Sequence, residues 1–301
     1  MNLIIYILVY PFIWFVSILP FRVLYFISDI IFVVLFYLVG YRKKVVLNNL
    51  QLTFPEKSTK ELLIIRKKFY SHFVDVFIEM IKTFTVSKKE IYKRYTFTNI
   101  DFFTELFKDG KSVILVGPHY ANWEWIMSLD SFVNYKGYAA YTKINNRYFN
   151  DKILESRAKF GTNLIQSSKV VAEIKNNQEN NIQAAYGLLS DQSPQIKKTH
   201  YWGSFLGIKV PIHTGAEMLA KKYDMNMVFI DTIKIKRGYY ETSFSLISND
   251  SKNANDYELT DIFLKKTEEK IRIQPEYYLW THKRFKHKGE VPNEFNFQFY
   301  S

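Results

Sequence analysis

Alternating strand and helix patterns behind an uncharged apolar N-terminus predict an α/β protein. The expected architecture is a mixed sheet flanked by helices, with an N-terminal hydrophobic helical membrane anchor. Three observations carry this. Residues 2–21 contain no charged side chain, and one helix needs roughly 20 such residues to cross a bilayer core. Short apolar runs then recur between segments of helical period. The last two runs, 227–233 and 239–246, read as a hairpin, which adds an antiparallel pair to the sheet.

Arg22 and Asp29 are the only charges between the first apolar stretch and Arg42, and residues 23–41 are again mostly apolar. Arg42, Lys43 and Lys44 form a basic stop, which the positive-inside rule assigns to the cytoplasmic side. The run is too long for a cleaved signal peptide, and neither a basic leader nor a small-residue cleavage site flanks it. A spanning helix followed by an interfacial one, or a hairpin of two apolar helices, both fit, and Pro11 and Pro20 suit either. A buried core helix pair is the alternative. Residues 1–44 are therefore read as anchor and 45–301 as one further domain, since no linker-like run or repeat interrupts residues 60–285.

Ser58-Thr59-Lys60-Glu61 is a capping-box pattern and opens a helix to about Thr83. Ile65, Phe69, Phe73, Val76, Phe77 and Met80 give it a core face. His72, Asp75 and Glu79 ride on the same helix, and His72 reads as structural or surface because no paired motif surrounds it. Ser87 opens a short helix. Residues 112–116 form an apolar strand that Gly117 and Pro118 break, after which 121–129 predicts a helix. Further strands are expected at 137–141 and 182–189, and helices at 149–160, 213–222 and 255–273.

The strand break places His119 at a strand's carboxyl end, where open α/β sheets build their sites. An imidazole there takes a proton near neutral pH, and Glu124, five positions on, is expected to orient it and stabilise its charged form. The chain has no Cys, which excludes disulfides, thiolate metal sites and a cysteine acyl-enzyme, and no Gly-x-Ser-x-Gly elbow supplies a serine nucleophile. His200, His213, His282 and His287 lack metal-ligand spacing, so no metal is expected. No glycine-rich phosphate loop is present, which argues against a nucleotide cofactor. A net charge of +12 suits nucleic acid, anionic lipid or an acidic protein. Without a nucleic-acid-binding signature, and with this N-terminus, a membrane surface is favoured over nucleic acid.

Four ordered blocks resemble the bacterial late (secondary) acyltransferases of lipid A biosynthesis, of the lauroyl- and myristoyltransferase type, within the lysophospholipid acyltransferase superfamily. They are His119 to Glu124; Tyr41-Arg42-Lys43-Lys44 through Asn48-Asn49-Leu50 to Phe54-Pro55-Glu56; Ser190-Asp191-Gln192 with Trp202 to Gly207; and Tyr278-Leu279-Trp280-Thr281-His282-Lys283-Arg284-Phe285-Lys286. The resemblance implies a glycerolphosphate-acyltransferase-like sheet and a bacterial inner-membrane enzyme with catalysis on the cytoplasmic face. It also implies transfer of a fatty acyl chain from acyl carrier protein to a hydroxyl of a lipid A precursor. His119 would be the general base, oriented by Glu124, with no covalent intermediate and no cofactor beyond the acyl-acyl carrier protein co-substrate. Substrate contacts are expected from Asn122, Trp123, Arg157, Asp191, Gln192 and Arg284, with Arg157 as an oxyanion donor and Arg284 on a glycolipid phosphate. Pro118 departs from the small residue or Thr usual before that histidine. Another membrane lipid as acceptor (a lysophospholipid or amino-acid lipid) and a non-catalytic membrane adaptor are the competing readings.

Overall fold

Pro20 divides the apolar N-terminus into two helices. It lacks an amide hydrogen and holds φ at −60°, so it suits the entrance to a helix and not its interior. The computed structural model of the protein describes residues 2–292. Met1 and residues 293–301, the outer ends of the two segments read from the sequence, lie outside the described residues. Helix α1 (Asn2–Ile18) tolerates Pro11 inside it, and α2 (Phe21–Val33) runs on through a π-helical segment, Val34–Val39, to Gly40. Helix α3 (Lys43–Thr53) follows, then α4 (Thr59–Lys82), whose N-terminus carries the expected capping box between Ser58 and Glu61. Helix α5 (Lys88–Arg94) leads into β1 (Tyr95–Phe97), α6 (Asp101–Leu106) and β2 (Val113–Gly117).

The remaining α/β units are β3 (Lys136–Tyr141), α7 (Arg147–Ala158), β4 (Asn163–Gln166), α8 (Val170–Glu179) and β5 (Ala184–Leu189). A two-stranded antiparallel ribbon, β6 (Trp202–Phe205) with β7 (Ile208–Pro211), precedes α9 (Gly215–Lys222). The hairpin β8 (Asn226–Lys236) and β9 (Tyr239–Ser248) and helix α10 (Glu258–Ile273) complete the set. The main sheet has seven strands in the order β1-β9-β8-β2-β5-β3-β4, and β8 with β9 is its antiparallel pair. The mixed α/β sheet flanked by helices is therefore as the sequence predicts. On one face Ile114, Val116, Tyr186 and Phe229 join side chains of α8, α9 and α10 in the main core; on the other, Val113, Leu115, Ala185 and Val228 pack with Phe103 of α6 and Leu129.

The N-terminal helices are built onto this domain. Val16 and Leu24 pack on Val74 and Ile78 of α4, and Phe21 and Phe36 belong to the main core. Polar groups lock the same interface. Ser28 donates to Asp75 at 2.7 Å, and Arg237, from the turn of the β8–β9 hairpin, bonds both Asp75 and Asp29. His72 lies buried beside Lys234 at 3.1 Å; burial and that neighbouring cation push its pKa well below the ordinary value, so its role is structural and not surface.

Glu79, fully buried, accepts from the hydroxyls of Tyr25 and Tyr240 at 2.8 Å and from Asn122 Nδ2 at 2.7 Å. Burial, reinforced by Asp75, pushes its carboxyl up to about 7. Replacing Glu79 by Ala leaves three donors without their acceptor, those of Asn122 and Tyr240 buried and that of Tyr25 half-buried. An unsatisfied buried group costs roughly 1–3 kcal/mol, so Glu79→Ala is expected to lower stability by about 3 kcal/mol or more, read by denaturant unfolding.

Candidate active site

Strand β2 ends at Gly117 because Pro118 cannot extend the ladder, and the chain turns with Tyr120 N–H donating to Pro118 O at 2.8 Å. That turn puts His119 at the sheet's carboxyl edge. Strand β5 lies parallel beside β2, with Leu189 level with Gly117, and Ser190 N–H still donates to Gly117 O at 3.3 Å. The next residue, Asp191, therefore comes alongside the imidazole. His119 Nδ1 and Asp191 Oδ1 are 2.7 Å apart, the aspartate 1 % exposed and the histidine 19 %.

An ionised carboxylate only accepts hydrogen bonds, so Nδ1 carries the proton and Nε2 keeps its lone pair. Burial disfavours the imidazolium, but Asp191, with Glu124 adding to it, holds the His119 pKa above its ordinary value. The pairing works on Asp191 in reverse: burial alone would raise its carboxyl, and His119 holds it low. Gln192 brings its Nε2 to 3.4 Å from His119 Nε2, and the Trp123 ring meets the imidazole edge-on, centroids 5.5 Å apart.

The expected helix over 121–129 does not form as such. Ala121 adopts φ +51°, which a right-handed helix cannot contain, and a 3₁₀ helix starts only at Trp125–Ser131. Asn122 caps the turn, its Oδ1 accepting from the amides of Glu124 and Trp125 at 3.1 and 3.0 Å. Glu124 consequently points to α7 and not to His119. Arg157 clasps it with Nε at 3.1 Å and Nη2 at 2.7 Å. The hydrogen-bonding partner of His119 is thus Asp191; the sequence assigned the orienting role to Glu124, whose remaining effect on the ring is electrostatic.

Two further expectations change. Asn122 is fully buried against Glu79 and is part of the scaffold, not a substrate contact. Arg284 is 2 % exposed, donates to Pro211 O at 3.1 Å and lies over the Phe205 ring, so it is not presented to a phosphate. Its segment instead braces the site. Leu279 N–H donates to His119 O, Ala121 N–H to Tyr277 O, and Ser193 N–H to His282 Nε2, all between 3.0 and 3.1 Å. Burial, with the cation of Arg284 adding, brings His282 down to about 4, which keeps it neutral for that acceptor role. Asn49 of α3 donates to the carbonyls of Trp280 and His282, both at 2.9 Å. The four sequence blocks meet here.

A cavity of about 620 Å³ opens at the same edge. His119, Trp123, Glu124, Arg157 and Gln192 line it, so these expected site residues do come together. Its walls are drawn from both faces of the sheet: Val170, Leu188, Ala216 and Leu219 on one, Ile126, Met127, Leu129 and Ala139 on the other. Among the described residues no group of three or more metal-ligating side chains is placed to hold an ion.

An imidazole whose Nε2 lone pair faces the cavity mouth, with only the long contact from the Gln192 amide on it, can take a proton from a hydroxyl brought there. The chain matches the family model described as bacterial lipid A biosynthesis acyltransferase over residues 2–287. It belongs to that family. No individually curated protein matches the chain. The family makes this protein an acyltransferase with a lipid A-type substrate.

For this acyltransferase the sign of the pH effect follows from the pair. With His119 as the base, only the neutral imidazole would react, and activity would rise with pH through a pKa held above the ordinary value. Asp191→Asn removes the group that raises it and leaves burial, which lowers it. The acid limb of the pH–rate profile is expected to move to lower pH, while the rate at its plateau falls by roughly 10²–10⁴-fold.

Proposed function

We propose that the protein transfers a fatty acyl chain from acyl carrier protein directly to a hydroxyl of a lipid A precursor, with His119 as general base. The carrying observation is the His119–Asp191 pair, whose Nε2 side borders an apolar cavity. The acceptor hydroxyl gives its proton to Nε2 as its oxygen attacks the thioester carbonyl. The tetrahedral intermediate then collapses, the C–S bond breaks, and the proton passes to the leaving thiolate. The transfer is direct, with no acyl-enzyme, in keeping with a sequence that has neither Cys nor a Gly-x-Ser-x-Gly elbow. Asp191 orients the ring and stabilises the imidazolium. Glu124 adds negative potential and fixes Arg157 at the cavity wall, where its remaining Nη1 and the Gln192 amide are candidate donors to the oxyanion. The net charge of +12 suits an acidic carrier protein as donor.

The N-terminal helices support a membrane setting for this chemistry. Phe21–Val39 is long and apolar enough to cross a bilayer, yet both α1 and α2 hold one face on the domain. Their outer faces expose Ile4, Leu8, Phe12, Phe15, Phe26 and Leu38. We read them as seated sideways in the membrane boundary, on the cytoplasmic side of a bacterial inner membrane. Tyr6 of α1 stacks on Tyr148 and meets Phe149 edge-on, both on α7, the helix that carries Arg157; this supports a route for lipid from the apolar helices to the cavity.

The test is acyl transfer by membranes bearing the protein, given acyl-acyl carrier protein with an underacylated lipid A precursor and a lysophospholipid side by side. Acylation of the precursor, lost in His119→Ala, is the expected result. Transfer to the lysophospholipid alone, or transfer that survives His119→Ala, contradicts the reading.

A further inference from the structure

The acyl-transfer reading requires a place for one hydrocarbon chain, and one face of the sheet provides it. There β3 and β5 set Gly137 opposite Ala185 and Ala139 opposite Gly187. All four line the cavity, and their small size leaves a groove floored by backbone. Ile126, Met127 and Leu129, from the segment after Glu124, form its roof. The groove starts at the level of Gly117 and Leu189, beside His119, and runs back to the level of Val113, Ala185 and Gly137. Four residues at about 3.3 Å each make this a slot roughly 13 Å deep.

Asp130 stands at the deep end. It lines the cavity together with Gly137 and Thr162, and its carboxylate fills the space a side chain at position 137 would take. A Cβ built on Gly137 would fall 1.9 Å from Asp130 Oδ1. Beyond this point Val113 is packed with Phe103 in the core. Burial pushes the Asp130 carboxyl up to about 6, with only the Thr162 hydroxyl working the other way and no cation compensating it. A carboxyl group is a poor neighbour for a methyl terminus, because pressing hydrocarbon against it removes the water or hydroxyl it bonds and returns nothing.

We infer that Asp130, seated on Gly137, closes the slot for the transferred acyl chain and thereby sets the longest chain the enzyme accepts. This rests on the acyl-transfer reading above. The slot suits the donor's single tethered chain, which threads in by its free end. A glycolipid bearing several chains on one headgroup does not thread into a blind groove and approaches from the apolar surface instead.

The experiment offers the full-length protein in membranes a mixture of acyl-acyl carrier proteins of graded length with one lipid A precursor, and reads product chain lengths by mass spectrometry. Asp130→Ala removes the stop. The ratio of longer to shorter product is expected to rise at least about tenfold per added methylene, the scale on which apolar pockets discriminate. Gly137→Ala drives the carboxylate into the slot, so the preference moves to shorter chains. Wild-type chain preference in Asp130→Ala, with His119-dependent transfer intact, overturns the slot assignment alone. Absence of His119-dependent transfer in the parent protein overturns the underlying reading and the slot with it. Should Gly137→Ala fail to fold, Asp130→Ala decides by itself.

Discussion

The hydrogen bond between His119 and Asp191 joins the ends of two adjacent parallel strands, and the surrounding structure serves to keep those ends together. Neither residue is close to the other in sequence, so the contact exists only because β5 inserts beside β2. The continued ladder from Ser190 to Gly117 fixes the height of the aspartate. The C-terminal segment then clamps both sides, bonding the His119 turn through Leu279 and the Asp191 loop through His282. An aspartate that is 1 % exposed meets its partner in a medium where charge interactions are weakly screened, which is why it overcomes the burial penalty on the imidazolium.

The same sheet edge brings a proton-accepting side chain and a cavity together. Cavity walls come from both faces of the sheet, and the base sits at the edge between them. The ion pair of Glu124 and Arg157 forms a polar flank beside a largely apolar stretch of wall that includes Ile126, Met127 and Leu129. On the other side of the His119 turn, Asn122 reaches Glu79, which also receives Tyr25 of α2. The apolar N-terminus and the His119 turn are thus held by one buried carboxylate. An apolar N-terminal helix and the candidate site are parts of one packed body.

Most of the fold was legible in the sequence because its signals are local. The Ser58 capping box, the apolar run before Gly117 and the helix-period face of α4 each need only a few neighbouring residues. His119 was legible for the same reason. Its partner was not. Glu124 stands at the right sequence spacing for a helix, but the left-handed backbone at Ala121 turns the segment and hands Glu124 to Arg157. Asp191 reads as a strand end, yet which strand lies beside β2 has no signature in either segment. Arg284 in Lys283-Arg284-Phe285-Lys286 looks like a solvated basic run, and only packing shows it folded under onto Phe205. Asp130 and Gly137 gave no signal at all, because a slot defined by strand register is written across distant residues.

The proposed base role of His119 depends on which ring nitrogen carries the proton. The direct measurement is the pair of imidazole ¹⁵N shifts of His119 in isotope-labelled protein, followed across its titration. Above its pKa the ring is expected to show a protonated Nδ1 and a bare Nε2, the tautomer that Asp191 imposes and that a general base requires. A proton found on Nε2 instead would contradict the assignment of Asp191 as the orienting carboxylate, and with it the catalytic role argued for His119.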